Sequence, residues 1–473
     1  MHEINENTPL VKGTHAGAPK THRSRIVQTL ADVTVEPALM LHSIAFTIDQ
    51  VYLTNLRIDK ICLISFKYSA EICRNLDAGN HTVEQDEVQR LASDYNVYYH
   101  WAEYLPALIS LAILGAWGDT RGRRLPLILP FIGGLLTSLA FLANVYWWTL
   151  PAPFLILSKV PLGITGGMLG LDMNVCAYMS AISRNRSRTF RLSSTEWLKY
   201  GCYPLGTYLA LLLYGYGGYL AVFLFQVLLY AAALVYLVVR LKEPSSKREE
   251  NGQATTRSVC EVFSPSALKR TFTLIWKPRG SGGRTSLILH TVILLLAIFM
   301  LGVKNYYFLY TRKQFDWDYE QYADWTLLDY PVKAIGTLIV VPLLSYYCRA
   351  EDSMLIFIGS VSAMFFYVLF GTAPVPWVLY FASAVSFCSL IPAVAARSTI
   401  SKGVLNNELG SIFAMLGVTQ CVLLLVAPSL YTLTYNFTLD FFPGTLFLVM
   451  AGVAAVVGCI SVWILTHHQP RQQ

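Results

Sequence analysis

Twelve apolar runs punctuate this chain, each about 20 residues long, the length a helix needs to cross the hydrocarbon core of a bilayer. They fall at 33–56, 97–118, 125–146, 153–182, 196–216 and 218–240. After a polar stretch at 241–284 they resume at 286–311, 325–347, 353–371, 375–400, 409–435 and 445–466. Six runs, a break and six more predict an all-α membrane protein of twelve transmembrane helices in two six-helix, pseudo-symmetric halves. The implied parts are an N-terminal tail at 1–31, a first half at 32–240, a linker at 241–284, a second half at 285–466 and a C-terminal tail at 467–473. Only 14% of the residues are charged, against about 25% in soluble domains, so a water-soluble core does not account for runs of this length.

The basic residues orient the spans, because loops on the cytosolic side collect Lys and Arg. Arg121, Arg123 and Arg124 follow the second run. Arg184, Arg186, Arg188 and Arg191 follow the fourth, and the 241–284 stretch is rich in both types. Under alternating topology these segments share one side, which is then cytosolic together with both termini. The net charge of +7 is thus a matter of topology, and no nucleic-acid partner is expected. The opposite side takes the 57–96 loop, with more acidic than basic residues, and the acidic 312–324 loop.

That outer assignment makes Asn80, in Asn80-His81-Thr82, the expected glycosylation site. Asn436 also falls outside, and Asn185 falls inside and stays bare. Cys62 and Cys73 share the first outer loop, where an oxidising compartment permits a disulfide. The other cysteines lie in or beside apolar runs, with no metal-ligand spacing, so neither metal nor cofactor is expected. The polar first 31 residues lack a signal peptide and read as a cytosolic tail. Within it Glu6-Asn7-Thr8-Pro9-Leu10-Val11 approaches an acidic dileucine sorting signal but ends in Val.

Between the second and third runs lies Gly115-Ala116-Trp117-Gly118-Asp119-Thr120-Arg121-Gly122-Arg123-Arg124. So short a connection joins two antiparallel helices by a tight charged turn. Gly118 and Gly122 let backbone pass close to backbone, and Asp119 and Arg123 are spaced to pair with each other or with neighbouring helix ends. The pattern resembles the loop 2–3 motif of the major facilitator superfamily of secondary transporters. Cys348-Arg349-Ala350-Glu351-Asp352 sits where a second copy would lie and keeps its opposite charges, a weak internal symmetry of the kind duplicated transporter halves show.

Ionisable residues inside the runs face a cavity or one another, because charge at membrane depth is costly. They are His42, Asp49, Glu103, Lys159, Asp172, Glu196, Lys199, His290, Lys304, Asp329, Lys333 and Arg397. Lys159 and Lys333 are long enough to snorkel to an interface, and Asp329 and Lys333, four apart, are placed to neutralise each other. Glu103, Glu196 and Lys199 lie near span ends, where solvent is an alternative. Arg397, after Pro392-Ala393-Val394-Ala395-Ala396, needs a carboxylate, a carbonyl or an anionic solute. Gly163, Gly166, Gly167 and Gly170 suit close helix packing; Gly201, Pro204 and Gly206 suit a bend.

Further residues carry a closer match. Val35-Glu36-Pro37 opens the first run; Arg186-Ser187-Arg188-Thr189-Phe190-Arg191 leads into Glu196; Arg397 and Lys402 precede Glu408-Leu409-Gly410. With the 115–124 motif, these resemble the proton-coupled folate transporter family (solute carrier family 46). The resemblance implies the major facilitator fold and transport of organic anions, including folates and, in other members, cell-wall fragments or cyclic dinucleotides. By position it implies Glu196 in proton coupling, Arg397 in substrate handling, and Asp119, Gly122 and Arg123 in gating. The folate carrier's histidine of the seventh span falls on Met300, a cysteine of its fourth outer loop falls near Asp316, and the 438–442 region lacks its lysine. These departures favour a small organic anion over folate itself, with Lys304 and Asp172 as further substrate-binding candidates.

The reading is a proton-coupled symporter of a small organic anion, multi-pass, at the plasma membrane rather than the endolysosomal membrane, with protons and the lipid bilayer as its other partners. Oligomeric state has no signature in the sequence. Two other classes stand beside it: a membrane-embedded enzyme such as a lipid acyltransferase, using His42 and Asp49, and a non-transporting solute receptor on the same fold.

Overall fold

In hydrocarbon every backbone N–H and C=O needs an internal partner, so lone apolar runs of this length fold as helices. The computed structural model describes residues 34–74, 82–183, 185–243, 283–317, 319–348, 350–405, 408–438 and 442–467, and among these the secondary structure is helical throughout. Ten helical stretches among the described residues are long and apolar enough to cross a membrane. The first helix, α1 (Glu36–Lys60), is outside that set and carries His42 and Asp49. Its Glu36 carboxylate reaches back to accept the N–H groups of Thr34 and Val35, at 2.7 and 3.0 Å, which satisfies donors that a helix start leaves open.

Chain order continues with α2 (Thr82–Thr120), α3 (Arg124–Tyr146), α4 (Gly167–Ile182), α5 (Asn185–Gly201) and α6 (Tyr203–Arg240). Two short helices, Pro153–Leu157 and Val160–Ile164, precede α4. After the linker come α7 (Gly283–Gly302), α8 (Tyr319–Pro342), α9 (Asp352–Gly371), α10 (Ile391–Lys402), α11 (Leu409–Thr438) and α12 (Thr445–His467). Helix α6 is two limbs. Gly217 and Gly218 leave helical geometry, Gly218 at φ 58°. Before the break Gly206 lies against Ile44 and Thr47, and Tyr214 stacks near Tyr52. After it Tyr219 bonds Asp59, Gln226 bonds the Ala45 carbonyl and Tyr230 meets His42. The chain therefore doubles back along α1.

The 57–96 loop is shorter than its polarity suggests. α1 runs to Lys60 and continues as a π turn at Ile61–Ser65, while α2 starts at Thr82, well before its apolar part. Ile61, Cys62, Val88, Ala92 and Ala152 form a small apolar cluster that supports this extension. Cys62 and Cys73 are disulfide-bonded. Tyr68 donates to Glu87 at 2.5 Å, a bond to a carboxylate that raises the phenol's pKa above its usual value. Asn80, read from sequence as a glycosylation site, lies outside the described residues.

Helices before residue 243 pack mainly on one another, α1 on α6 and α6 on α3; those after 283 do likewise, α9 on α12 and α10 on α7 and α9. The main contacts between the two sets are α2 with α11, α4 with α11, α5 with α8 and α5 with α10. Close approach requires glycine at Gly115, where a Cβ would overlap Ala414 and meet the Gly410 carbonyl at 2.7 Å.

Candidate functional site

Glu196 and Lys199 are three apart on α5 and so share a face. Lys199 donates to Glu196 at 2.9 Å and to Asp172 of α4 at 3.0 Å. Arg397 of α10 donates to the same Glu196 oxygen at 2.5 Å. The result is a chain of alternating charge, Asp172, Lys199, Glu196, Arg397, that runs from the first set of helices to the second. Glu196 and Arg397 are buried, so solvent at a span end is not the answer for Glu196 or its partner. Two anions balance two cations, which is the condition for holding such groups away from water.

This arrangement changes the standing of two candidate solute contacts. Arg397 holds a protein carboxylate, and Asp172 holds Lys199, because each has a countercharge within reach. Lys304 differs. It lies in a 3-10 turn, Val303–Tyr306, that interrupts the helix between α7 and Tyr307–Phe315. The residue is accessible to solvent. Nearby in sequence, Tyr306 bonds the Pro428 carbonyl and Thr432 of α11 at 3.2 and 2.6 Å, so the turn packs on α11.

The 115–124 motif forms a tie between the helix sets. Gly122 takes φ 111°, a conformation that side chains resist. The bend presents the N–H groups of Arg123 and Arg124 to the Glu243 carboxylate, at 2.5 and 3.1 Å. Asp119 accepts the N–H groups of Gly410 and Ser411, both at 2.6 Å. These belong to the start of α11, where amides lack intrahelical partners and the helix dipole favours a negative group. Arg123 lies 3.5 Å from Asp119 and donates to the Ala177 carbonyl of α4 at 2.9 Å.

A second tie lies at the same end of α4. Asp352, opening α9, accepts from Lys402 at 2.6 Å, Thr189 at 3.0 Å and Thr399 at 3.1 Å. Arg188 donates to the Ser401 carbonyl at 2.8 Å. Asp352 stood out in sequence only as the end of a degraded motif copy, and Arg188 only within its Arg-Ser-Arg block. Glu243 had no local signal beyond its place after an apolar run.

The remaining intramembrane charges are paired. Asp329 and Lys333 join at 2.5 Å, with the ammonium 4.4 Å from the Phe366 ring centre. Lys159 does not snorkel: it is buried 2.6 Å from Asp49 and 3.6 Å from Glu103. His42 and Asp49 do not form a catalytic pair. The His42 ring lies 3.1 Å from the Met168 sulfur and 3.2 Å from the Tyr230 hydroxyl, while Asp49 binds Lys159 and Tyr99.

A family model described as Major Facilitator Superfamily matches residues 101–428. A Drosophila melanogaster protein named as a probable peptidoglycan muropeptide transporter SLC46 is 25% identical to this chain, over 96% of it and 89% of its own length. The human lysosomal proton-coupled steroid conjugate and bile acid symporter SLC46A3 is 26% identical, over 89% of this chain and 91% of its own. Among solved structures, the human organic anion transporter MFSD10 (TETRAN) is similar in fold, with a TM-score of 0.70 at 14% identity, covering 90% of this chain and 97% of that one.

Proposed function

We propose, for a chain that belongs to the Major Facilitator Superfamily, that it carries a small organic anion across a membrane together with protons, by alternating access. It is a multi-pass membrane transporter, not an enzyme. The observation that carries the finer reading is the balanced chain Asp172, Lys199, Glu196, Arg397 between the two helix sets. A proton on Glu196 cancels its charge and leaves Arg397 without its anion. A solute carboxylate or phosphate then replaces Glu196 as the partner of Arg397, and the positive charge of Lys304 draws such solutes in. Binding of solute and of proton thereby favour each other.

Segments 32–240 and 285–466 rock about this site, joined by the 241–284 linker. The basic 119–124 turn belongs on the cytosolic side by the positive-inside rule. With Asp119 and Asp352 both engaged, the conformation is then closed toward the cytosol, with both termini on that side. The incomplete dileucine sequence at Leu10-Val11 favours the plasma membrane over the lysosome in which the human relative is named as acting.

The test is uptake into proteoliposomes under an acid-outside gradient, with a labelled panel of folates, muropeptides, cyclic dinucleotides and steroid sulfates. Acid outside is expected to accelerate uptake of at least one anion. Glu196→Gln is expected to abolish that acceleration while keeping counterflow of the same solute. PH-dependent uptake that survives Glu196→Gln in correctly inserted protein contradicts the role of Glu196. Binding of an anion with no counterflow in the parent protein would indicate the receptor reading.

A further inference from the structure

Polar side chains inside a helix bundle ordinarily pair, because leaving a hydrogen bond unmade costs more than making it gains. Gln420 of α11 does not follow that rule. The residue has no exposed surface, and neither its amide oxygen nor its amide nitrogen has a hydrogen-bond partner among the described residues. Packing alone does not explain a glutamine here, since Met or Leu fills similar space with no polar atoms to desolvate.

Its position is in the seam between the two helix sets. Three residues earlier, Gly417 lies against Met173 of α4 and Leu111 of α2. The next residue, Cys421, donates to the Tyr104 carbonyl of α2 at 3.4 Å and clusters with Ala107, Leu111 and Leu169. Along α4 the stretch from Leu169 to Met173 includes Asp172, where the charge chain begins. Gln420 therefore lies at the depth of that chain. Arg397, at the other end of the chain, is on α10, which also packs on α4, and its Nε has no partner among the described residues. Two helices of the second set that pack on α4 thus carry unpaired polar atoms.

We infer that Gln420 is a solute-binding residue, uncovered when α11 parts from α2 and α4, and that the organic anion it takes carries an amide or a ring lactam as well as its acid group. The inference rests on the transport reading above. A glutamine amide offers an acceptor oxygen and two N–H donors. A solute amide, with C=O and N–H side by side, meets both kinds at once, while the acid group goes to Arg397. The seam opens when Asp119 releases the start of α11, so the residue is buried in the closed conformer and available in the open one.

Transport kinetics and the unfolding of purified, solute-free protein test it together. Gln420→Met, close in volume, removes both unpaired atoms. Its unfolding midpoint is expected to rise above the parent's, and its KM for folates and muropeptides, which carry amides, is expected to rise about tenfold. Steroid sulfates, which carry none, are expected to keep their KM. Gln420→Asn retains an amide and is expected to give a KM between the two; it also covers the case in which Gln420→Met is not recovered. A lower midpoint in Gln420→Met, the mark of an amide with a structural partner, overturns the inference. So does an amide-bearing anion whose KM neither substitution moves, or a parent protein that carries steroid sulfates alone. In those cases pH-driven uptake still stands, and the transport reading with it. A parent protein that moves no anion of the panel ends both.

Discussion

Lys199 stands between two carboxylates, and its removal is the most direct test of the buried charge chain. Without it Asp172 and Glu196 face Arg397 alone, and one buried negative charge is uncompensated. Losing one partner of a buried pair costs about 3–5 kcal/mol. Lys199→Met is therefore expected to lower the thermal unfolding midpoint of the purified protein, and the added Asp172→Asn is expected to restore most of the loss by restoring balance. A single variant as stable as the parent contradicts the balanced chain. Arg397→Lys asks a different question. It keeps the charge but loses the planar fork that grips a carboxylate or phosphate. The expected outcome is a raised KM for the anion with proton dependence retained; an unchanged KM argues against contact between Arg397 and solute. Arg397 is visible in sequence because it is a charge where apolar residues dominate, and Glu196 because it follows the Arg-Ser-Arg-Thr-Phe-Arg block at the start of a span. Their pairing is not, since they are 201 residues apart and spacing speaks only for neighbours on one helix. The same limit hid the trio of Lys159, Asp49 and Glu103.

Helices respond to what fills the space between them, and α2 and α11 leave none at Gly115. A Cβ there overlaps Ala414, and overfilling a packed contact costs about 1–3 kcal/mol. Gly115→Val is expected to push α11 away and favour the conformer open on that face, a shift of roughly 5- to 150-fold. A cysteine introduced by Ser411→Cys, in a background without other reactive cysteines, reports it through faster labelling by a membrane-impermeant maleimide from the side of the turn. Labelling at the parent rate contradicts the tight seam. The element boundaries also show what hydropathy measures. It placed the start of the second span near Val97, where the apolar part begins, although the helix itself starts at Thr82. The break in α6 was legible, because Gly217 separates two apolar runs and Gly218 opens the second, and the two supply the non-helical backbone. The break between α7 and Tyr307 was not, since apolarity continues across it.

For the whole molecule, the pattern of apolar runs made a helical membrane protein legible, and the 115–124 motif pointed to its superfamily. The conformation adopted was not legible. Alternative states of a transporter differ by only a few kcal/mol, a difference set by a few hydrogen bonds between distant segments. Two groups of such bonds close the face that bears the turn. Asp119 binds the start of α11, and Asp352 binds Thr189, Thr399 and Lys402. They share no residue, and each consists of hydrogen bonds to a charged group, worth about 1.5–3 kcal/mol apiece. Neither touches Arg397 or Lys304, so each is expected to set turnover and not affinity. Asp119→Ala and Asp352→Ala are each expected to lower the maximal rate of uptake by about tenfold or more, with KM for the solute little changed. Free energies of independent sites add, so the double variant should show the product of the two rate losses. A double variant no slower than the worse single one means that the ties form one latch. A raised KM at unchanged maximal rate, in either single variant, moves that residue from the gate to the solute site.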